Sequence, residues 1–560
     1  MQGDAFKNPV QVLQQLSENL PQLEHLDLSG TNLPGDVNGG LEQSVLPGWP
    51  SNRRLSFLGL LGCPSDPCRR ENLPAHRVTG EANETQLIAA LEAYADRRLA
   101  TRWILRSVYK LLYEMNATLR APGHVFELLL ERMHRYLSDK HVQLYASAIL
   151  FHLLRLLGIE KISPMRVRTL VQRLVDTLER YEADHSDHTM SLVRNCLTLL
   201  GKVRTYEQVR MGTYELLYEQ LVKVLLRIAQ HASTIPGNIP DPNLIPVPNP
   251  NLNVIALDVL RTILLQQASL SESKLLFGEL GGVRIALSIL KQQLDSPEVD
   301  CSDACAHTCW LLLCIVTDET APNCKRFIEL SGLELFVCSL NRWRESKALQ
   351  RTMLTLLTNV GEIKCLRGYL KSDELIAIFL EMLDTTDIKD NGISYITASV
   401  LSHMLADGEG LWHHKSGCED ADEAPLPVPL VYSRATIGER IIAATERWNP
   451  DVACNTTISY TSLIPTLSLI TAFDSFASQY WAAWALNNLS LVKPERYCPM
   501  LFREGALDIL DTAIADARSQ DRFRHWLVLT ADRIRQHIKY ESPCVRLGAV
   551  CEQMDSDDND

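Results

Sequence analysis

No stretch of this sequence is apolar for long enough to cross a bilayer: the longest run, Leu144 to Ile159, is broken by His152 and Arg155. The basic-then-apolar pattern of a secretory signal is missing after Met1. Positive charge is also short, with 55 Lys and Arg against 68 Asp and Glu and a formal charge of −13. Nucleic-acid binding draws on Lys and Arg to displace counterions from phosphates, so no nucleic-acid partner is expected and a basic or cationic one fits better. There is no phosphate-cradling glycine loop, zinc-protease helix or nucleophile elbow, so neither enzymatic chemistry nor a cofactor is expected. Cysteine, by contrast, is plentiful. The 15 thiols are odd in number and fall mostly on apolar helix faces, which reads as buried thiols of a reducing compartment, intracellular in the cytoplasm or nucleus.

With 560 residues, 46% hydrophobic and 22% charged, the chain has the composition of a folded protein too long for a single compact core. A solenoid avoids that limit, because each repeat buries its face on its neighbours. Near the start, Leu23, Leu26, Leu28, Thr31 and Leu33 have leucine-rich-repeat spacing, and Leu55, Leu58, Leu60 and Cys63 repeat it. Two copies do not make a stable horseshoe, so residues 1–72 are read as a partial array, with a Gly- and Pro-rich loop between the copies. From Thr85 the apolar period is helical throughout. The expected layout is armadillo-like (ARM/HEAT) helical repeats over 73–234, a proline-rich loop over 235–252, further armadillo-like repeats over 253–540 and an acidic tail over 541–560. The fold class is therefore mainly α, an armadillo-like α-solenoid after a short leucine-rich-repeat remnant.

The second half shows its repeat openly. FGELGGV (277–283), FIELSGL (327–333) and FREGAL (502–507) read as one joint, a short helix closed by glycine and then an apolar helix. Long helices end in Thr317-Asp318-Glu319 and in Thr358-Asn359, with Glu362 just beyond. Asp318 and Asn359 are 41 residues apart, about one repeat, so these polar groups are expected side by side on a concave ridge. Asn359 and Asn488 stand where armadillo proteins place an asparagine that holds a peptide backbone, since an amide donates and accepts at once. His403 and Trp484 extend the same candidate ridge.

These residues bring a resemblance with them. LPAHRVTGEANETQLIAAL (73–91), VTDETAPNCKRFIELSGLELF (316–336), LLTNVGEIKCLRGYL (356–370), SYTSLIPTLSLI (459–470) and QYWAAWALNNLSLVKPERYCPMLFREGAL (479–507) are similar to the Zyg-eleven and Zer-one family of substrate receptors for cullin-RING ubiquitin ligases. The resemblance covers about Leu23 to Ile538. It implies a non-catalytic adaptor whose armadillo region receives client proteins beginning with glycine, and whose N-terminal box contacts elongin B/C and a cullin. Burying a free ammonium calls for carboxylates and amide oxygens. The family pattern carries over to Asp318 and Glu362 as partners of that ammonium and to Asn359 as the holder of the first peptide group, with Thr317 beside them. Just before, the family has Trp-Asn where this chain has Cys314-Ile315, which implies a wider, less polar pocket. Trp310 stands either as a substitute wall or as core.

Upstream of Leu23 nothing matches the elongin box, while Ser191, Leu192, Cys196 and Leu200 fit its pattern inside a repeat helix. Two alternatives therefore stay open beside the receptor: an armadillo scaffold for an internal extended peptide, and a shortened regulatory form lacking the ligase contact. Cys301, Cys305 and Cys309 with His307 lie on a single helix, which cannot surround zinc tetrahedrally, so core thiols are expected there. His413, His414 and Cys418 are read as belonging to a solvated acidic loop.

Overall fold

The structure, a computed structural model, describes residues 6–35, 45–64, 66–113, 119–184, 186–203, 217–232, 252–265, 270–295, 302–384, 391–412, 430–448, 460–516 and 521–554. The proline-rich loop, the loop carrying His413 and His414, Cys301 and the residues after Met554 lie outside the described residues. The chain forms two compact units, Met1–Leu270 and Ser271–Asp560.

The first unit begins with a helix, Pro9–Asn19, and a parallel sheet of β1 (His25–Asp27), β2 (Leu55–Gly59) and β3 (Ala75–Thr79) in that order. Register pairs Leu26 with Leu58 and Leu58 with Val78, so the two leucine-rich copies stack as read. The third strand comes from 75–79, beyond the expected boundary at 72, and supplies the neighbour that two copies lack. Leu26, Leu28, Leu55, Leu58 and Leu60 form the core, closed by Leu13 of the first helix and by Trp49. Gly59 is fixed by space: a Cβ there would fall 2.1 Å from Asp27 Oδ1 and 2.5 Å from the Tyr94 hydroxyl. That hydroxyl ties the rungs together, donating to Asp27 at 2.9 Å and lying 2.8 Å from both Ser29 and Thr79.

Two-helix repeats follow. Arg98–Tyr113, Lys140–Leu157, Asp187–Val203 and Leu252–Leu264 pack as successive rungs of one layer, and Glu84–Ala93, Pro122–Arg135, Pro164–Tyr181 and Tyr218–Ala232 form the other. The box-like segment lies in the first layer with Leu192, Cys196 and Leu200 fully buried, so its pattern is a core pattern.

The second unit changes to three helices per repeat. Leu270–Glu279, Gly282–Asp295 and Ser302–Thr317 make one; Ala321–Glu329, Gly332–Arg342 and Lys347–Glu362 the next; Lys364–Leu370, Asp373–Leu383 and Gly392–Leu405 a third. Pro494–Arg503, Ala506–Asp516 and Asp521–Met554 repeat the plan, so helix continues past residue 541 as far as Met554, where a tail was expected. The third helices pack in a ladder, Ser302–Thr317 on Lys347–Glu362 on Gly392–Leu405 on Phe476–Val492 on Asp521–Met554. This is the armadillo plan, and together with the leucine-rich start it gives the mainly α architecture expected.

The joints follow the reading at Gly281 and Gly505 and differ from it at the middle one. Gly332 does not close the short helix; it opens the next one, because a Cβ there would strike the Phe327 ring at 2.4 Å. The left-handed residue is the one before it: Gly281 at φ 84°, Ser331 at φ 60° and Gly505 at φ 77°. Ser331 thus carries a Cβ in a conformation that suits glycine. Ser331→Gly is expected to raise stability by about 1 kcal/mol, seen as an increased urea midpoint; an unchanged or lower midpoint would mean the serine side chain supplies something glycine cannot.

Candidate functional site

Asp318 follows the helix Ser302–Thr317, and the chain then turns sharply through Glu319 at φ 54°. This turn aims the Asp318 carboxylate back towards the preceding repeat. There it meets Lys274, 2% exposed on the helix Leu270–Glu279, whose ammonium donates to Asp318 Oδ2 at 2.8 Å and to the Asp318 carbonyl at 2.9 Å. A third donor arrives from far along the chain: Thr461 Oγ1 lies 3.1 Å from Asp318 Oδ2. Asn323 fixes the lysine's helix by donating to the Lys274 and Val316 carbonyls, both at 2.8 Å. Asp318 was read as an open carboxylate for a ligand, but the protein's own ammonium already pairs with it.

Asn359 lies one rung on, in the helix Lys347–Glu362, and is buried. Its amide donates to the Cys314 carbonyl at 3.0 Å and to Thr317 Oγ1 at 3.1 Å, while Thr317 itself donates to the Leu313 carbonyl at 2.8 Å. The expectation that Asn359 both donates to and accepts from a peptide is corrected here: its donors are engaged within the fold, leaving Oδ1 as an acceptor. Asp318, Thr317, Cys314 and Asn359 do come together, as their repeat positions implied. Ile315 is half-buried. Trp310 is core, with no exposed surface, its indole donating to Ser339 at 3.3 Å and its ring against Phe327.

Glu362 ends the same helix. Its side chain accepts no hydrogen bond from any described residue: Arg367 donates to the Gly361 and Glu362 carbonyls at 2.6 and 3.4 Å and pairs instead with Asp407 Oδ1 at 2.7 Å. Burial, followed by the negative charges of Asp318 and Glu319, pushes its carboxyl up to about 8, with Arg367 pulling weakly the other way. Burial and Asp318 likewise raise Glu319. Burial lifts the Cys314 thiol to about 12, so it is no nucleophile. Asp318, Glu319 and Glu362 thus lie within one another's field, Asp318 in contact with the Lys274 ammonium, and Asn359 Oδ1 is a further acceptor. Such a site holds more negative than positive charge and favours a cation with several donors.

The remaining candidates lie elsewhere. His403 is buried without a partner on either ring nitrogen, and burial lowers it to about 3, so it stays neutral. Asn488 and Trp484 line a different cleft, with Trp448 and Trp526. Tyr395 stands between: its hydroxyl is 2.9 Å from that of Tyr460, whose ring is near enough to feel the Glu362 charge, and its ring centroid is 5.7 Å from that of Trp484.

Sequence reasoning missed Lys274, Thr461 and Tyr460. Thr461 and Tyr460 were inside SYTSLIPTLSLI, recognised as a block but not as a wall. Lys274 offered one signal, a lysine three residues before the core Phe277 and therefore on a buried face. Among the described residues no cluster of His, Cys, Asp and Glu is arranged to hold a metal, and no helix is long and apolar enough to cross a membrane. Cys305 and Cys309 are fully buried.

Stacked three-helix repeats define an armadillo-type repeat protein, in a chain whose sequence opens with leucine-rich rungs. Its kinship is narrower than that. Residues 131–536 match the family described as protein zer-1 homolog-like, C-terminal domain, and residues 1–63 match Zer-1-like leucine-rich repeats. The chain belongs to the Zer-1-like family. It is 30% identical over 553 residues to the Drosophila melanogaster protein zer-1 homolog, covering 90% of this chain and 64% of that one. Against the Caenorhabditis elegans Zyg eleven-related protein 1 the figures are 29% over 522 residues, 91% and 53%. The chain thus spans less than two thirds of the length of these relatives. A solved chain from work on a phosphorylation switch between cadherin and beta-catenin aligns with a TM-score of 0.43 and 15% identity, over 81% of this chain and 68% of that one.

Proposed function

We propose that this chain is the substrate-recognition component of a cullin-RING ubiquitin ligase and that its second unit receives the free N-terminus of client proteins beginning with glycine. The observation that carries the reading is Glu362, a carboxylate that accepts no hydrogen bond from a described residue, in the field of two other carboxylates and three residues from Asn359, whose amide nitrogen is engaged within the fold. A terminal ammonium has three donors and a charge, and it supplies what this group of acceptors lacks. In this arrangement Glu362 takes the ligand's charge, Asn359 Oδ1 accepts a second donor, and Asp318, already paired with Lys274, contributes field rather than a first contact. Cys314 and Ile315 form the wall where the family has Trp-Asn. The protein acts by presenting clients and carries out no chemistry of its own; elongin B/C and a cullin are the proposed ligase partners.

Three labelled peptides test this, identical except for a free N-terminal glycine, an acetylated glycine or a free N-terminal leucine. The free-glycine peptide is expected to bind at least tenfold more tightly than either control, and Glu362→Ala is expected to remove the difference. Equal binding of the acetylated peptide would sink the reading, because no terminal charge would then be recognised. Mixing the purified chain with elongin B/C tests the ligase arm separately: a stable complex supports a ligase contact within these residues, and none counts against it.

A further inference from the structure

We propose that the groove between the leucine-rich rungs and the first helices after them is an interaction surface for an acidic segment of a partner protein, with carboxylates at alternate positions and an apolar side chain among them. The groove holds about 980 Å³ and belongs wholly to the first unit. Gly30 and Gly62, just past β1 and β2, line it together with the start of the helix Arg98–Tyr113. Arg97, Arg98, Arg102 and Arg106 all line it, and no Asp or Glu does. Two carboxylates stand behind this wall: Asp27 accepts from Arg97 at 2.6 Å, and Asp139, 1% exposed, accepts from Arg102 at 2.6 and 2.8 Å. They fix two guanidiniums and leave two uncompensated. Arg98 comes no nearer than 3.8 Å to Asp139 and is 61% exposed, and Arg106 is exposed with no ion pair to any described residue. Like charges four apart on one helix oppose its formation, so the stripe Arg98, Arg102 and Arg106 does nothing for the helix and points to an anionic ligand. Burial first, and then the Arg102 charge, hold the groove's His141 below its ordinary value, as a positive field does.

Spacing and the apolar wall define the partner. Residues four apart on a helix are about 6 Å apart along its axis, so the stripe is about 12 Å long. Alternate residues of an extended chain are about 6.7 Å apart and point the same way, so carboxylates at three alternate positions match the three arginines. Beside the stripe, Leu99 and Trp103 lie four apart on the same helix and are 54% and 52% exposed. The Trp103 indole donates to Glu81, which also accepts from Ser107 at 3.1 Å, so the ring is oriented before any ligand arrives and the Glu81 charge is engaged. An exposed, fixed ring next to guanidiniums takes an apolar side chain of the same segment. Nucleic acid fits less well: a stripe of about 12 Å is short for a polyanion, and the formal charge of −13 repels one at longer range.

The test leaves the Glu362 site out. Random dodecapeptides, fused at both ends so that no free N-terminus is present, are selected on the purified chain and in parallel on the double variant Arg98→Glu/Arg106→Glu. Sequences enriched on the parent alone are expected to carry Asp or Glu at alternate positions with a Leu, Phe or Trp among them. As acetylated and amidated peptides they are expected to lose at least tenfold in affinity on the double variant and on Trp103→Ala, and to bind more weakly as salt rises. Lys161→Glu/Arg168→Glu makes the same change of charge on exposed residues outside the groove and is expected to bind them as the parent does. Arg98→Glu/Arg106→Glu is expected to melt no earlier than the parent, since neither arginine has a close carboxylate to lose, and to bind a free-glycine peptide as before. A neutral or basic consensus, equal affinity for the groove variant, an equal loss on the control pair, or tighter binding of a mixed-sequence single-stranded DNA dodecamer than of any selected peptide would overturn the proposal while leaving the glycine reading untouched.

Discussion

Lys274→Met is expected to lower the stability of the second unit by about 3 kcal/mol, seen as a fall in the urea midpoint. The lysine is 2% and Asp318 29% exposed, so removing the ammonium strands a carboxylate that water reaches only in part. Breaking a fully buried pair from one side costs about 3–5 kcal/mol; the partial exposure of Asp318 and the Thr461 hydroxyl that still faces it place this case at the lower end. The lost charge is the cause, so the double variant Lys274→Met/Asp318→Asn should regain most of the loss. If the double variant is as unstable as the single one, packing of the lysine stem is the real contribution. The pair also bears on ligand choice. In Lys274→Met the Asp318 carboxylate becomes available, and a free-glycine peptide should then stabilise the variant more than it stabilises the parent, its ammonium taking the vacated place.

The position of Lys274 shows where sequence reading stops. Asp318, Thr317, Cys314 and Asn359 were legible as neighbours because a repeat of about 41 residues places equivalent helix ends side by side. What each atom does there was not legible, because it depends on partners from other helices. Asn359 looked like a free amide, yet its donors meet a carbonyl and a hydroxyl on the adjacent rung. Asp318 looked open, yet a lysine 44 residues earlier and a threonine 143 residues later converge on it. The helical plan was legible for the same reason the atoms were not: apolar period is a property of each helix alone, and hydrogen-bond partners are a property of the stack. The joints sit between these cases. Their repeated Phe and Gly were visible, and Gly281 and Gly505 do take the left-handed turn, but at the middle joint it falls one place before Gly332, on Ser331. Leucine spacing revealed β1 and β2 as rungs of the leucine-rich region. The remaining rung, Ala75–Thr79, escaped because its sequence AHRVT has no leucine at all.

Glu362 ties stability and recognition to pH, and the sign of each effect follows from one fact. Its carboxyl titrates at about 8 in the fold against 4.5 for an unperturbed one, with burial, Asp318 and Glu319 raising it and Arg367 opposing them. Between those values the folded chain holds a proton that the unfolded chain has released, so this group makes the ligand-free protein less stable as pH rises from 4.5 to 8. Glu362→Gln should therefore match the parent near pH 4.5 and exceed it at pH 8, by on the order of 1–3 kcal/mol in thermal or urea melts. The ligand reverses the preference. A terminal ammonium needs the carboxylate ionised, so binding expels the proton, and affinity for a free-glycine peptide should rise from about pH 6 to about 7.5 by up to about tenfold per unit. Near pH 8 the rise should end, because the peptide's own amine, with a pKa of about 7.7–8.0, begins to lose its charge. Tyr460, held far above its ordinary range by burial and by Tyr395, stays a neutral phenol throughout and contributes no slope. Glu362→Gln should bind weakly with a flat profile below about pH 7. A parent profile that is equally flat would place the ligand's charge on some other group and remove Glu362 from the site.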